Sequence, residues 1–221
     1  RRRESLISHG ADSFLLAGRA FGPIGSTALG VRGGRVTTEW HVGGIAVAGS
    51  PDTAEQFPAQ VIDPEIHKLL EEGPGRRRRF LDWGVFHVEH GFLENWRRYH
   101  TALRQRNAAL KQGAEDAALA AWEQELAASG ETLAAQRDSY LARLAAPLAS
   151  IGGALLGAPI SVVHQRGWDP GRSLLEALGQ DRRRDRRYRA TQLGPHRADV
   201  IVNVGDRAAK DALFGGLAEV A

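Results

Sequence analysis

The stretch that decides the fold is GPGRRRRFLDWGVFHVEHGFLENWRRYHTALRQRNAALK, residues 73–111. Within it, large apolar side chains recur three, four or seven residues apart, at Phe92, Trp96, Tyr99, Leu103 and Leu110. This spacing puts them on one face of an α-helix, with most of the basic side chains on the other faces. The pattern predicts a long amphipathic helix that buries one stripe against a neighbouring element.

Apolar residues at a similar helical spacing continue further along the chain, at Leu119, Trp122, Leu126, Leu133, Tyr140 and Leu144. Ser129-Gly130 interrupts it, and we expect a break between two helices there. The sequence therefore predicts a helical arm domain over residues 76–157, formed by helices packed against one another as a projecting hairpin.

The flanking segments favour β-structure. Residues 12–49 are short apolar runs punctuated by glycine, with a hairpin turn expected at Gly33-Gly34. Residues 57–63, FPAQVID, predict a buried strand, and Asp63-Pro64 predicts the start of a short helix. Beyond residue 157 the sequence predicts a strand, a helix, an arginine-rich loop and a second strand, in that order. We predict a mixed α/β fold, with a β-rich part over 1–75, the helical insertion, and a mixed α/β part over 158–221.

Composition limits the class of protein. A chain of 221 residues with 43% hydrophobic content can bury a substantial core. The absence of cysteine excludes disulfide scaffolds, zinc–thiolate sites and thiol catalysis, and a cytoplasmic location is the simplest one consistent with it. We expect neither a signal peptide nor a membrane-spanning segment. The absence of methionine indicates a fragment or an incomplete reading.

Charge is unevenly distributed, although the net charge is only +3. Thirteen of the 29 basic residues lie in three clusters: Arg1–Arg3, Arg76–Arg79, and Arg182, Arg183, Arg184, Arg186, Arg187 and Arg189. Arginine binds phosphate oxygens bidentately and keeps its charge, so the second and third clusters are candidate DNA contacts. The alternative for the second cluster is pairing with Glu71, Glu72 or Asp82. In the third, Asp181 and Asp185 dilute the charge and leave structural pairing or disorder open.

Two further motifs have less specific patterns. FGPIGSTALG, residues 21–30, has the glycines of a phosphate-binding loop but no lysine after them, and it is interpreted as a turn that leads into a strand. His87, Glu89 and His90 offer metal-ligand chemistry, but their spacing matches no closed site and no third ligand is identifiable. We predict no metal site, with packing or surface histidines as the alternative to a metal hydrolase.

Several blocks resemble the RecF family of bacterial recombination mediators when taken in order. The blocks are VIDPEIHKLLEEGP, RRFLDWGVFHVE, W-x-x-Y-x-x-A-L-R-Q-R-N beginning at Trp96, Trp122 to Leu126 with Gly130-Glu131, Arg166-Gly167-Trp168-Asp169, and Gly194-Pro195-His196-Arg197-Ala198-Asp199. The resemblance covers most of the chain and is strongest over 58–111 and 194–199.

The resemblance implies a partial ABC-type ATPase head, related to SMC proteins, with a β-rich flank and an inserted helical arm. It also implies that, in the full-length family, ATP and Mg²⁺ promote homodimerisation. It further implies DNA binding at single-strand gaps and joint action with RecO and RecR to help load RecA. The block at 194–199 lies near the ATPase lobe, so His196 and Arg197 are expected either to brace that lobe or to contact nucleotide or DNA.

The sequence departs from the family where the nucleotide chemistry resides. The family's Walker A loop precedes the segment with which this chain begins, residues 213–218 read LFGGLA where an S-R-G-Q-like signature is expected, and Walker B would follow Ala221. We expect no catalytic residue here and no binding of ATP or Mg²⁺ by this chain alone. The alternative function is a non-enzymatic basic helical module that binds nucleic acid or a protein.

Overall fold

A computed structural model describes residues 3–22, 25–59, 62 and 64–214. The chain divides into two compact units, Arg1–Ile62 and Asp63–Ala221. Arg1, Arg2, the predicted helix start at Asp63 and most of the LFGGLA segment lie outside the described residues.

The first unit is an antiparallel sheet with strands in sequential order. Its elements are β1 (Ser13–Gly22), β2 (Gly25–Gly34), β3 (Thr38–Val42), β4 (Ile45–Val47) and the helix α1 (Ser50–Gln56). The strands predicted over 12–49 are confirmed. The hairpin turn predicted at Gly33-Gly34 begins after them instead, because both glycines pair with β1 at the end of β2. The Gly34 N–H closes the turn and donates to the Thr37 carbonyl at 2.9 Å. Gly22 pairs with Gly25 across the β1–β2 hairpin, so FGPIGSTALG joins two strands, as predicted.

The strand predicted over 57–63 is wrong for the residues that the structure describes. Phe57–Ala59 and Ile62 belong to no strand, and the Ile62 side chain is 80% exposed. An apolar run becomes a strand only when a neighbouring strand accepts its backbone hydrogen bonds, and no strand pairs with the described residues of this run.

The second unit is built from helices and a three-stranded antiparallel sheet among the described residues. The helices are α2 (Lys68–Glu71), a single turn that follows a 3-10 turn at Pro64–His67, α3 (Pro74–Val88), α4 (Phe92–Lys111), α5 (Asp116–Leu156), α6 (Leu174–Gln180), α7 (Arg182–Tyr188) and the terminal α8 (Ala209–Phe214). The strands β5 (Ile160–Gln165), β6 (Asp199–Val204) and β7 (Arg207–Ala208) lie in that order.

Helices α4 and α5 form the centre of this unit. The predicted apolar stripe is confirmed, because Tyr99, Leu103, Leu126 and Leu133 all lie in the buried core. The predicted break at Ser129-Gly130 is wrong, since α5 runs through it without interruption. A Cβ on Gly130 would lie 2.7 Å from Leu174 Cδ2 and 3.0 Å from the Tyr99 ring. The glycine therefore allows close helix packing instead of ending the helix.

Helix α5 is also the one helix in the described part of the chain that is long and apolar enough to cross a membrane by length and composition. Only 6% of the apolar window that meets this criterion is buried within the protein. The buried Glu123 and Arg137 lie in the first two thirds of α5 and make ion pairs with other elements of the unit.

Candidate nucleic-acid interface

The third arginine cluster is helical, not the loop that the sequence predicted. Arg182–Tyr188 forms α7, and helical spacing divides its side chains between two faces. Arg182, Asp185 and Arg186, at positions i, i+3 and i+4, bond to α4, α5 and the turn that joins them. The opposite face carries the exposed Arg183, Arg184, Arg187 and Tyr188.

The inward face of α7 is anchored by a buried polar network around Arg106 of α4, whose side chain has no solvent exposure. Its guanidinium donates to Asp185 Oδ2 at 2.6 Å, Thr191 Oγ1 at 2.8 Å and Glu123 Oε1 at 2.8 Å. Arg182 reaches the other side of the network and donates to Glu123 Oε2 at 2.5 Å. Two guanidinium groups therefore face two carboxylates, and the buried charges balance.

The two carboxylates of this network respond differently to burial. Burial raises the pKa of Asp185 above its ordinary value, and the hydrogen bonds from Arg106 and from the Gln192 N–H oppose it. For Glu123, burial also acts to raise the pKa, but hydrogen bonds from Arg182 and Arg106 outweigh it and lower the pKa. Asp185 is therefore the carboxylate that depends most on Arg106.

The second cluster, Arg76–Arg79, is mostly engaged within the protein. Arg77 forms a bidentate pair with Asp199 of β6, at 2.8 and 2.9 Å, and donates to the Glu72 carbonyl at the end of α2. Arg78 donates to the Ala198 carbonyl at 2.7 Å, and Arg76 pairs with Glu72 at 3.2 Å. These partners compensate positive charge at the start of α3, where the helix dipole disfavours it.

The DNA-binding candidates are narrowed by these contacts. Arg77, Arg78, Arg182 and Arg186 are used in internal hydrogen bonds and ion pairs, because each lies within reach of a carboxylate or carbonyl of a packed neighbour. Four other candidates are exposed: Arg79, Arg183, Arg184 and Arg187. Of these, Arg184 has one distant partner, with its guanidinium 3.9 Å from Asp181.

The segment 194–199 contacts the Arg166–Asp169 segment through one glycine from each, Gly194 and Gly167. The Gly194 N–H donates to the Gly167 carbonyl at 3.1 Å, and both glycines have positive φ. A Cβ on Gly167 would contact the Gly194 carbonyl oxygen and lie 2.9 Å from the Ala198 nitrogen. The two loops therefore touch backbone to backbone, which only glycine permits.

His196 is held inside this junction by both ring nitrogens. Its Nε2 donates to the Thr191 carbonyl at 3.0 Å, and its Nδ1 accepts from the Tyr99 hydroxyl at 2.6 Å. Burial lowers the pKa of His196 to about 4, so the ring is neutral at pH 7. Arg197 is exposed and donates to Gln192 Oε1 at 3.2 Å. His196 is thus placed to brace the loop, while Arg197 faces solvent.

Arg137 joins three elements at the same junction. It makes a bidentate pair with Asp82 of α3, at 2.8 and 3.0 Å, and donates to the Pro195 carbonyl at 3.0 Å. Asp82 was predicted as a partner of the Arg76–Arg79 cluster, but it pairs with Arg137 of α5 instead.

His87 and His90 are not brought together with a third ligand. The ring of His87 packs edge-on against Trp83, with ring centroids 4.3 Å apart, and Glu89 pairs with Arg143. Within the described ranges no group of three His, Asp or Glu side chains is arranged to hold a metal ion.

The buried polar network around Arg106 was not predicted from the sequence, although the spacing of Arg106 indicates that its side chain is buried. Arg106 continues the spacing of Tyr99, Leu103 and Leu110, at intervals of four, three and four residues. A charged residue on the apolar stripe of a helix must be paired when buried. That position therefore indicates internal carboxylate partners, but not which ones.

Comparison with known proteins agrees with this architecture of a sheet, a long helical hairpin and a second small sheet. Two solved structures of the recombination mediator protein RecF in the RecFOR pathway, RecF–ATPrS and RecF–ATP, superpose on it with TM-scores of 0.84 and 0.83. They cover 99% and 94% of this chain, which matches 62% and 60% of theirs, at 18% identity. The fold class is therefore that of the RecF-type ATPase fold.

The sequence comparisons define the family more closely. The chain is 43% identical over 219 residues to the DNA replication and repair protein RecF of Chromohalobacter salexigens, and 37% identical over 215 residues to that of Shewanella amazonensis. These alignments cover 95% and 96% of this chain but 59% and 60% of the relatives. No family model matches the sequence. The chain belongs to the RecF family and spans about three fifths of the length of these relatives.

Proposed function

We propose that the protein to which this chain belongs is a DNA repair and recombination mediator that binds gapped single-/double-stranded DNA in an ATP-dependent manner. In this proposal it helps to load RecA together with RecO and RecR. The observation that carries the proposal is the 43% identity over 219 residues to a protein named for DNA replication and repair.

ATP and Mg²⁺ belong to the same proposal as ligands of the whole protein, and they promote its homodimerisation in the cytoplasm. The RecF–ATP structure with the same fold supports a nucleotide in this family. The chain itself contains no G-x-x-x-x-G-K-[ST] motif. The gene can test this: a reading frame that continues into Walker A on one side and into signature and Walker B motifs on the other is expected. An intact gene without them would leave the non-enzymatic basic module.

The DNA-binding part of the proposal rests on the outward face of α7. Arg183, Arg184 and Arg187 are exposed there, next to the exposed Tyr188, on a helix whose other face is fixed to the core. Together with Arg79 they offer guanidinium groups to phosphate oxygens without reading the base sequence. Arg197 is a further exposed candidate at the 194–199 junction.

The test is a titration of the purified protein with gapped DNA over a series of salt concentrations. We expect the logarithm of the affinity to fall linearly with the logarithm of salt, because phosphate contacts release counterions. The triple variant Arg183→Gln, Arg184→Gln, Arg187→Gln should bind more weakly and lower the slope by about 0.9 for each phosphate that it no longer neutralises.

A matched variant controls for the loss of net charge. Arg143, Arg172 and Arg207 are also exposed but lie outside α7, and their triple change to glutamine removes the same charge. It should retain most of the affinity and the slope. Equal weakening by the two triple variants, or affinity that does not change with salt, would contradict a specific role for α7.

A further inference from the structure

A groove between α4 and α5 carries an exposed tryptophan surrounded by arginines. It has a volume of about 290 Å³ and is lined by Arg97, Arg98, Thr101, Ala102, Trp122 and Glu125. Trp122 is 39% exposed, although it continues the apolar rhythm of α5. The indole face of Trp122 is therefore accessible to a ligand from within this groove.

The charges around this groove are fixed by the structure. Arg98 makes a bidentate pair with Glu125, at 2.9 and 3.2 Å, which holds its guanidinium one turn of α5 away from Trp122. Arg104 donates to the Thr101 hydroxyl at 3.1 Å, which places a second guanidinium beside the groove. Arg97 is exposed and has no hydrogen bond or ion pair with the described residues.

The groove therefore has an excess of positive charge. Two arginines, Arg97 and Arg98, line the groove against one carboxylate, Glu125. Arg104 and Glu94 of α4 lie just outside it and carry opposite charges. A flat π-surface beside the unpaired guanidinium of Arg97 and the remaining Nη1 of Arg98 is the combination that binds single-stranded nucleic acid, with a base stacked on the indole and phosphates on the arginines. A duplex cannot use it in the same way, because its bases are already stacked on each other.

We infer that the α4–α5 groove is a subsite for single-stranded DNA, with Trp122 as the stacking platform and Arg97 and Arg98 as phosphate ligands. The inference rests on the proposed function and adds to it: α7 contacts phosphates of any DNA, whereas this groove selects unpaired nucleotides. It gives the protein a means to distinguish the single strand of a gap from the flanking duplex.

The experiment compares three fluorescently labelled probes on the purified protein: oligo(dT), an abasic oligonucleotide of equal length, and a duplex of equal length. Trp122→Ala should lower the affinity for oligo(dT) by about 5- to 150-fold, the range expected for loss of one base–aromatic stack. It should leave the affinities for the abasic strand and the duplex nearly unchanged. Trp122→Phe, which keeps a ring, should recover much of the binding to oligo(dT).

The arginines are tested with a matched pair of variants. Arg98 and Arg143 are 51% and 53% exposed and each pairs with a glutamate, but only Arg98 lines the groove. Arg98→Gln and Arg97→Gln should weaken oligo(dT) binding and reduce its salt dependence, whereas Arg143→Gln should do neither. Circular dichroism of each variant shows that the fold is retained.

The outcomes separate this inference from the proposed function. If the wild-type protein binds gapped DNA but Trp122→Ala binds oligo(dT) as well as wild type does, the groove is not a subsite and the proposed function stands. If Trp122→Ala weakens binding equally for all three probes, stacking is excluded as the cause. If the protein binds none of the probes and no gapped DNA, both the inference and the DNA-binding proposal are wrong.

Discussion

Replacing Arg106 with methionine tests the buried network that holds α7. The variant keeps a long apolar stem but removes a guanidinium that bonds to Asp185, Glu123 and Thr191. Glu123 keeps its pair with Arg182, whereas Asp185 keeps only the Gln192 N–H at 2.8 Å. One uncompensated carboxylate is thus left in the interior, and breaking such a pair costs about 3–5 kcal/mol of unfolding free energy.

The destabilisation should depend on pH in a defined direction. Burial already raises the pKa of Asp185, and removal of Arg106 raises it further. A carboxyl group whose pKa is raised in the folded state destabilises the fold as pH rises through that pKa, because the folded state then holds an unfavourable charge. The stability deficit of Arg106→Met should therefore be larger at pH 7.5 than at pH 5.

Urea unfolding followed by circular dichroism measures both effects. Arg98→Met, on the same helix but at an exposed ion pair, is the control and should change stability little. Adding Asp185→Asn to Arg106→Met should recover part of the stability, because the buried charge is then gone. The reasoning would be refuted if Arg106→Met were as stable as wild type, or if its deficit were the same at both pH values.

Three further predictions concern other parts of the second unit. Gly167→Ala should destabilise the protein by about 2 kcal/mol or more, because φ is +91° and the Cβ would meet backbone atoms. Gly153→Ala is the control: this glycine lies on α5 with open space around it, and the change should stabilise the protein by up to about 1 kcal/mol. Thermal unfolding measures both effects. For Asp199, burial acts to raise the pKa, but the hydrogen bonds from Arg77 and the Val200 N–H and the charges of Arg77 and Arg78 together lower it. The destabilisation by Arg77→Gln should thus be present at pH 7 and shrink as pH falls below about 4, as denaturant unfolding across that range can check. The ring of His196, with a pKa of about 4, should stay neutral between pH 8 and 5.5 in NMR titration, and a titration within that range would contradict its burial.

Much of the helical part of the fold could be predicted because it follows from periodicity within one segment. The spacing of Tyr99, Leu103 and Leu110 defines the buried face of α4, and the same spacing contains the buried Arg106. The continuous α5 could not be predicted, because Gly130 reads as a helix breaker unless its close neighbours Tyr99 and Leu174 are known.

The division of the arginines was the hardest part of the site to predict. Once residues 182–188 are known to be helical, spacing alone puts Arg182, Asp185 and Arg186 on one face. The pair between Arg77 and Asp199 has no such local signal, because the residues are 122 positions apart and meet only through the packing of α3 on β6. Sequence thus identified the basic clusters, while tertiary packing decides which of their members face solvent.

The anchoring of α7 has a consequence for the energetics of binding. A helix of seven residues is too short to persist alone in water, so the order of α7 depends on Asp185 and its buried partner Arg106. In the proposed DNA contact, the backbone that carries the exposed arginines is therefore ordered before any phosphate arrives, and binding does not have to supply the conformational entropy of ordering it. The proposal then predicts that a change at Arg106 weakens DNA binding through disorder of α7, although no arginine on the exposed face has been altered.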